Sequence, residues 1–125
     1  MKQTFETNKS VQETANAIKE IAPNYKFGVL HIHNIKETLI SKGIEFQKEC
    51  QVLDVCNPNI ANQLLSEDLS LSCIMPCKVA IYNDNGQTTI ALNSLVQLVD
   101  DINPDLVHIA QEAQGSLIKI IEEAI

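Results

Sequence analysis

Side chains capable of metal binding or thiol chemistry are concentrated in the middle of this chain. Three short motifs carry cysteine and follow a pair of histidines. Thiols and imidazoles bind metal ions, and thiols also act as nucleophiles. We therefore predict one site lined by His31, His33, Glu49, Cys50, Cys56, Asn57, Pro76, Cys77 and Lys78.

Cys56 stands immediately before Asn57-Pro58, a pair that is typical of a helix start. Amide groups and the helix dipole at such a position can lower the pKa of a thiol, which would make Cys56 reactive. The same cysteine could also be a small apolar residue before an ordinary helix cap. Both interpretations stay open at the level of sequence. Glu49 is likewise either a ligand or general base, or an ordinary surface carboxylate.

Disulfides between cysteines that are close in sequence are excluded by distance. Cys50 and Cys56 are six residues apart, which is roughly 20 Å along a strand, and Cys73 and Cys77 would be about 13 Å apart. A disulfide needs Cα atoms within about 7 Å. Any pairing must therefore cross between strands. Cys73 is expected in the core, on one strand face with Cys77.

A metal site and a catalytic site are the two chemical alternatives. His31 and His33 should share a strand face with Phe27 and Val29, and two such imidazoles can bind one ion. Cys50, Cys56 and Cys77 are the candidate thiol ligands. No C-x-x-C pair is present, so the usual structural zinc spacing is missing. Catalysis with Cys56 as nucleophile and His31 as base lacks a third, orienting group, and the sequence assigns neither a reaction nor a cofactor.

The charge and hydropathy of the chain limit the classes of binding partner and the cellular location that we expect. The net charge is −7, and all nine basic residues are lysine. Nucleic-acid binding needs clustered cations and favours arginine, so no nucleic-acid partner is expected. The first residues are too polar for a secretory signal, and no apolar run approaches membrane-spanning length. We therefore expect a cytoplasmic protein whose cysteines are reduced.

The elements around these motifs predict an α+β domain spanning residues 1–125. Ser10-Val11-Gln12-Glu13 is a capping box for a first helix, and Asn103-Pro104 opens a long last one. Strands are expected at 2–7, 27–33, 45–55, 71–82 and 87–92, with Pro76 at an edge or bulge. A turn at 83–86 should pair Val79 with Ile90. Such an order favours a mainly antiparallel sheet with helices packed on one face.

The motifs together resemble domain-of-unknown-function family 302. The resemblance runs from Phe27 to Leu92 and rests on Phe27-Gly28-Val29-Leu30-His31-Ile32-His33, Glu49-Cys50, Cys56-Asn57-Pro58 and Pro76-Cys77-Lys78. It implies a two-layer β-α-β4-α fold, found in bacterial and archaeal single-domain proteins that often look dimeric. Lys78 stands where the family usually has arginine, and Cys73 lies outside the pattern. The resemblance implies no established activity.

These observations favour a binding or carrier module with a Cys/His/Glu-lined cleft, and thiol or sulfur chemistry rather than a permanent metal. The alternatives are a structural or interaction homodimer without chemistry, and a zinc- or copper-binding protein. Apolar residues appear on both faces of three predicted strands, such as Leu30 and Ile32 opposite Val29. Because large apolar patches are rare on monomers, we expect a symmetric homodimer formed through the open sheet face or an edge strand.

Overall fold

The computed structural model describes residues 2–125, which form one five-stranded antiparallel sheet with helices. The strand order is β1-β5-β4-β3-β2, so β3 and β4 are central and β1 and β2 are the edges. The strands are β1 (Lys2–Thr7), β2 (Gly28–Asn34), β3 (Cys50–Cys56), β4 (Cys77–Asp84) and β5 (Gln87–Asn93). The α+β prediction is confirmed.

Five α-helices and three short 3-10 segments connect and cover these strands. The helices are α1 (Val11–Ile21), α2 (Ile35–Ser41), α3 (Pro58–Glu67), α4 (Leu95–Ile102) and α5 (Val107–Ala124). Ser10 and Glu13 form the predicted capping box of α1. The Asn57 side chain accepts from the amides of Asn59 and Ile60 at the start of α3. Within residues 2–125, no helix has both the length and the apolar character needed to span a membrane.

The core lies on one face of the sheet, beneath α1, α3, α4 and α5. Leu53 and Val55 of β3 and Val79 and Ile81 of β4 are almost fully buried there, against helix residues such as Leu117. Helix α2 has no buried residue and contacts β2 and β3. The opposite side of the sheet, called the outer face below, carries the alternate residues of the same strands. The buried apolar side chains therefore lie between two layers, the sheet and the helices on one of its faces.

The β4–β5 hairpin differs in register from the prediction. Asn85 and Gly86 form the turn with φ of 55° and 85°, the positive values that a two-residue hairpin turn requires. This tight turn lengthens both strands. Ile81 therefore pairs with Ile90, and Val79 pairs with Leu92 rather than Ile90. The shift is by an even number of residues, so the apolar face is preserved.

Two other strand predictions were too long at their N-terminal ends. The third strand begins at Cys50 rather than residue 45, and the fourth begins at Cys77 rather than residue 71. Residues Leu69–Ile74 form a 3-10 segment instead, which the Asp68 side chain caps by accepting from the Ser70 amide. Cys73 is consequently exposed, not in the core. Pro76 lies just before the central strand β4, so the prediction of an edge position or a bulge at Pro76 was wrong.

Candidate functional site

A network of three charged or ionisable side chains occupies the outer face of the central strands. Asp54 of β3 lies directly between His31 of β2 and Lys78 of β4 in the strand register. Its Oδ2 atom lies 2.8 Å from His33 Nε2, and its Oδ1 atom accepts a hydrogen bond from the Lys78 ammonium. The Asp54 side chain is 12% exposed, against 41% for His33 and 57% for Lys78. The carboxylate is thus enclosed by its partners.

A β-bulge in β2 brings the histidines to this face. Val29 pairs with Val55, but His31 pairs with Asp54, so one extra residue, Leu30, interrupts the ladder. Leu30 is 64% exposed. Because the extra residue reverses the alternation, His31 and His33 lie on the face opposite to Val29. The prediction that these histidines share a face with Phe27 and Val29 was therefore wrong, and so was the assignment of Ile32 to the open face.

The network has a definite electrostatic consequence for Asp54. The hydrogen bond from Lys78 is the largest factor that lowers the pKa of this carboxyl group, and His33 acts in the same direction against the effect of burial. An ionised carboxylate only accepts hydrogen bonds, so His33 Nε2 must carry the proton that joins them. His31 and His33 also meet edge to face, with ring centroids 4.3 Å apart.

Asp54 is the site residue that the sequence analysis missed. It stands in the run Val52-Leu53-Asp54-Val55, where a charged residue interrupts an otherwise apolar strand. A buried carboxylate needs a partner, so this interruption was the available signal. The partners themselves could not have been identified without the strand register, because they come from two other strands.

Cys56 and Cys77 line a separate, small and partly open cavity at one end of the sheet. Cys77 pairs with Val55, the neighbour of Cys56 in β3. Both thiols contact a cavity of about 30 Å³ that is lined mainly by apolar side chains, among them Phe27, Ile60, Leu64 and Met75. Such a volume holds about one or two water molecules. Ligand pockets usually have about 300–1,000 Å³, so this cavity is too small for an organic ligand.

The thiols are also poorly ionised. Burial raises the pKa of Cys77 to about 11, and the nearby Cys56 contributes in the same direction. Burial also raises the pKa values of Cys56 and Cys50. For Cys56, burial therefore opposes a thiolate, which favours the second of the two interpretations given above, a small apolar residue before a helix cap. All four cysteines are free thiols.

Cys50 and Glu49 lie at the other end of β3. Cys50 pairs with Tyr82, and six residues separate it from Cys56, which is roughly 20 Å of strand. Glu49 is exposed and forms an ion pair of 2.7 Å with Lys36 of α2. The single Cys/His/Glu cleft predicted from the sequence is therefore divided: the cysteines stand at opposite ends of the strand, and the histidines lie on the outer face between them.

Two further residues of the predicted site, Asn57 and Pro76, have structural roles. Asn57 caps α3, and Pro76 contacts the small cavity beside Cys77. Among residues 2–125, no three histidine, cysteine or acidic side chains converge in a way that would hold a metal ion. Of the neighbouring residues on the outer face, His33 is hydrogen-bonded to Asp54, and His31 contacts the His33 ring edge to face.

A shallow groove on the outer face adjoins Lys78. Its volume is about 130 Å³, and Ala80, Ala91 and Asn93 line it together with Lys78, while Lys2 reaches it from the edge strand. Ala80 and Ala91 pair directly across β4 and β5. Two small side chains side by side leave the space that forms the groove. Lys78 thus stands between this groove and Asp54.

Comparison with known proteins places these features in a family context. A comparison with curated protein sequences finds no match. Among solved structures, the chain is similar to the one described as "Crystal structure of uncharacterized conserved protein DUF302 from Bacillus stearothermophilus". The two are 30% identical, with a TM-score of 0.93 over 99% of this chain and 98% of that one. The family model "Domain of unknown function DUF302" matches residues 3–124. The chain therefore belongs to the DUF302 family.

Proposed function

We propose that this protein is a small-ligand-binding module, and that its site lies on the outer face around Lys78 and His31. The ligand carries an anionic oxygen group, such as a carboxylate or a phosphate. The observation that supports this proposal is the state of Asp54: His33 engages one of its oxygens and Lys78 the other. The groups that remain for a ligand are mainly hydrogen-bond donors.

The donors are well suited to an anion. An ammonium group has three N–H bonds, and Lys78 uses one of them for Asp54, so two point elsewhere. The His31 ring is exposed, and the Asn93 side chain lies at the adjoining groove. Asp54 fixes the ammonium in place, which lowers the entropy lost when a ligand binds. The chain as a whole carries a charge of −7, so a local cluster of donors is needed to attract an anion.

The size of the groove limits the ligand. A volume of about 130 Å³ is below the usual range of about 300–1,000 Å³ for drug-sized molecules. A carboxylate or phosphate group with a few attached atoms fits this space. A larger ligand would place its anionic end here and extend across the exposed sheet.

Titration with inorganic phosphate and with acetate tests the proposal. We expect saturable chemical-shift changes of the Ala80, Ala91 and Asn93 amides in NMR spectra. Lys78→Gln should weaken the affinity by about threefold to tenfold, as loss of one partly exposed charged hydrogen bond would. Lys19→Gln, an exposed change on α1, is the matched control. Shifts that grow linearly with concentration, or that are equal in the two variants, would contradict the proposal.

Thiol or sulfur chemistry is the second candidate. The adjacent positions of Cys56 and Cys77 favour it, because two thiols on one small cavity could act together. The raised pKa values of both thiols and the lack of room for a substrate oppose it. We therefore prefer anion binding. Four free cysteines fit a reducing compartment, which supports a cytoplasmic location within this proposal.

A further inference from the structure

We infer that the ligand of the outer-face site carries two separated anionic groups, one bound by Lys78 and the other by Lys2. The inference rests on the proposed function and narrows it to one class of ligand, short dicarboxylates and molecules with the same spacing of negative charges. Lys2 belongs to the edge strand β1, so it lies outside the network of Asp54, His33 and Lys78.

Lys78 and Lys2 stand on either side of Asn93 in one row across the sheet. Lys2 of β1 pairs directly with Asn93 of β5. On the other side of β5, Val79 pairs with Leu92. Because antiparallel strands run in opposite directions, their neighbours Lys78 and Asn93 lie at the next position of the same ladder. Residues in one cross-strand row share a face, so both lysines lie on the outer face.

The two lysine side chains line the same groove, which has a volume of about 130 Å³. Only β5 separates β4 from β1. Since neighbouring strands lie about 4.8 Å apart, the two lysine Cα atoms are about 10 Å apart, and side chains that stand perpendicular to the sheet keep this separation. Two ammonium groups that each donate to an oxygen at about 2.8 Å then hold oxygens about 4–5 Å apart. This is the spacing of the two carboxylates in a short dicarboxylate.

The wall of the groove between the lysines suits an apolar spacer. Ala80 and Ala91 pair across β4 and β5 and both line the groove. Their methyl groups cannot form hydrogen bonds, so they favour methylene groups over further charges at this point. A ligand with charged ends and a spacer of a few carbon atoms therefore complements the groove along its length.

Lys2 has no internal partner that would compete with a ligand. The ion pairs within residues 2–125 involve Lys36, Lys48, Lys78 and His33. The one acidic residue of β1, Glu6, lies four positions from Lys2, which is about 13 Å along a strand. The exposed Lys2 ammonium thus keeps its three N–H bonds for solvent or a ligand.

The balance of charge also calls for a second cation. Lys78 is paired with Asp54, so these two side chains together carry no net charge. The whole chain carries a charge of −7, which repels an anion at long range. Lys2 supplies the additional positive charge at the groove, and a ligand with two negative groups gains most from it.

NMR titrations at neutral pH with succinate and succinamate test the inference. Succinamate has the same length, but a neutral amide replaces one carboxylate. Wild-type protein should bind succinate about threefold to tenfold more tightly than succinamate, after correction for the two equivalent ends of succinate. Lys2→Gln should abolish this preference, and Lys2→Arg, which keeps the charge, should retain it. Lys19→Gln, which removes an exposed charge from α1, is the control and should also retain it.

Equal affinities for the two ligands in the wild type would overturn the inference. A preference for succinate that persists in Lys2→Gln, or that Lys19→Gln also abolishes, would overturn it as well. Circular dichroism verifies that each variant keeps the fold. Saturable acetate binding that depends on Lys78, without a preference for succinate, would refute this inference alone. The lack of saturable binding for acetate, succinate and phosphate alike would refute the proposed function too.

Discussion

His33 Nε2 lies 2.8 Å from Asp54 Oδ2, a contact between residues twenty-one positions apart on neighbouring strands. The second oxygen of the same carboxylate accepts from Lys78 on the other side. One side chain of β3 thus ties β2 and β4 together on the outer face. This arrangement gives Asp54 a role in stability that is distinct from its proposed role in orienting Lys78.

Replacement of Asp54 by alanine is expected to lower the free energy of unfolding by about 1–2 kcal/mol, since two charge-assisted hydrogen bonds are lost near the surface. Asp54→Asn should cost less, because the amide oxygen still accepts from Lys78. Urea denaturation of both variants measures the difference. Glu49→Ala is the control, because its exposed ion pair with Lys36 should contribute under about 1 kcal/mol to the free energy of unfolding. An equal loss of stability in Glu49→Ala and Asp54→Ala would contradict a larger contribution from Asp54.

The dependence of stability on pH follows from the same carboxylate. The pKa of Asp54 is lower in the folded protein than in the unfolded chain, chiefly because of Lys78. Its contribution is therefore complete above the unfolded pKa of about 3.9 and disappears as the pH falls through the lower folded value. Thermal unfolding between about pH 5 and pH 2 should show a steeper loss in the wild type than in Asp54→Asn. Parallel curves of thermal stability against pH for the two proteins would show that other carboxyl groups cause the loss of stability in acid.

Cysteine labelling should reveal one fast site. Cys73 is exposed, whereas burial raises the pKa values of Cys50, Cys56 and Cys77. At about pH 7.5, iodoacetamide should modify Cys77 at least tenfold more slowly than Cys73, because the thiolate is the reacting form. Mass spectrometry of the labelled protein over time measures both rates.

The control for this experiment is Cys73→Ser, which should remove the fast phase and leave the slow sites unchanged. Modification of Cys56 or Cys77 as rapidly as Cys73 would reverse our ranking of the two candidate functions. Thiol chemistry would then be the stronger one.

Gln51 offers a test of the core. It is 3% exposed on the helix side of β3, and its amide donates to Gln12 at 3.0 Å. The side-chain carbonyl oxygen of Gln51, Oε1, is buried without a hydrogen-bond partner among the described residues. Gln51→Met keeps the volume and removes this unsatisfied group, so the free energy of unfolding should rise by about 1 kcal/mol. Gln12→Met removes the acceptor of the buried Gln51 amide and should lower the free energy of unfolding, whereas a destabilised Gln51→Met would refute the argument.

Local signals in the sequence were sufficient for most of the fold. The capping box at Ser10, the Asn57-Pro58 helix start and the Asn85-Gly86 turn each specify geometry within a few residues, and all three are present. The site was harder to predict, because it depends on pairing between distant strands. The contact of Asp54 with His33 and Lys78 requires the register of three strands, and no local pattern encodes it.

One argument for a dimer through the open sheet face is lost for a related reason, because Ile32 packs against the core rather than lying on the outer face. Leu53 and Val55 lie in the core with Val79. Alternation along β3 then places polar Asp54 on the outer face. Since the burial of each side chain follows from which strands pair and in which register, a misplaced start of one strand changes the expected character of a whole surface.

The bulge at Leu30 shifts the alternation of side chains along β2 by one residue. Before the bulge, the odd-numbered residue Val29 packs against the core. After the bulge, the odd-numbered residues His31 and His33 lie on the outer face, and Ile32 packs against the core. Deletion of Leu30 would leave Val29 opposite Val55 and His31 opposite Asp54 in an uninterrupted ladder, so both imidazoles would stay on the outer face and Ile32 in the core. The extra residue is therefore accommodated at the exposed edge of the sheet, and the histidines lie beside Asp54 without any change in the strand order.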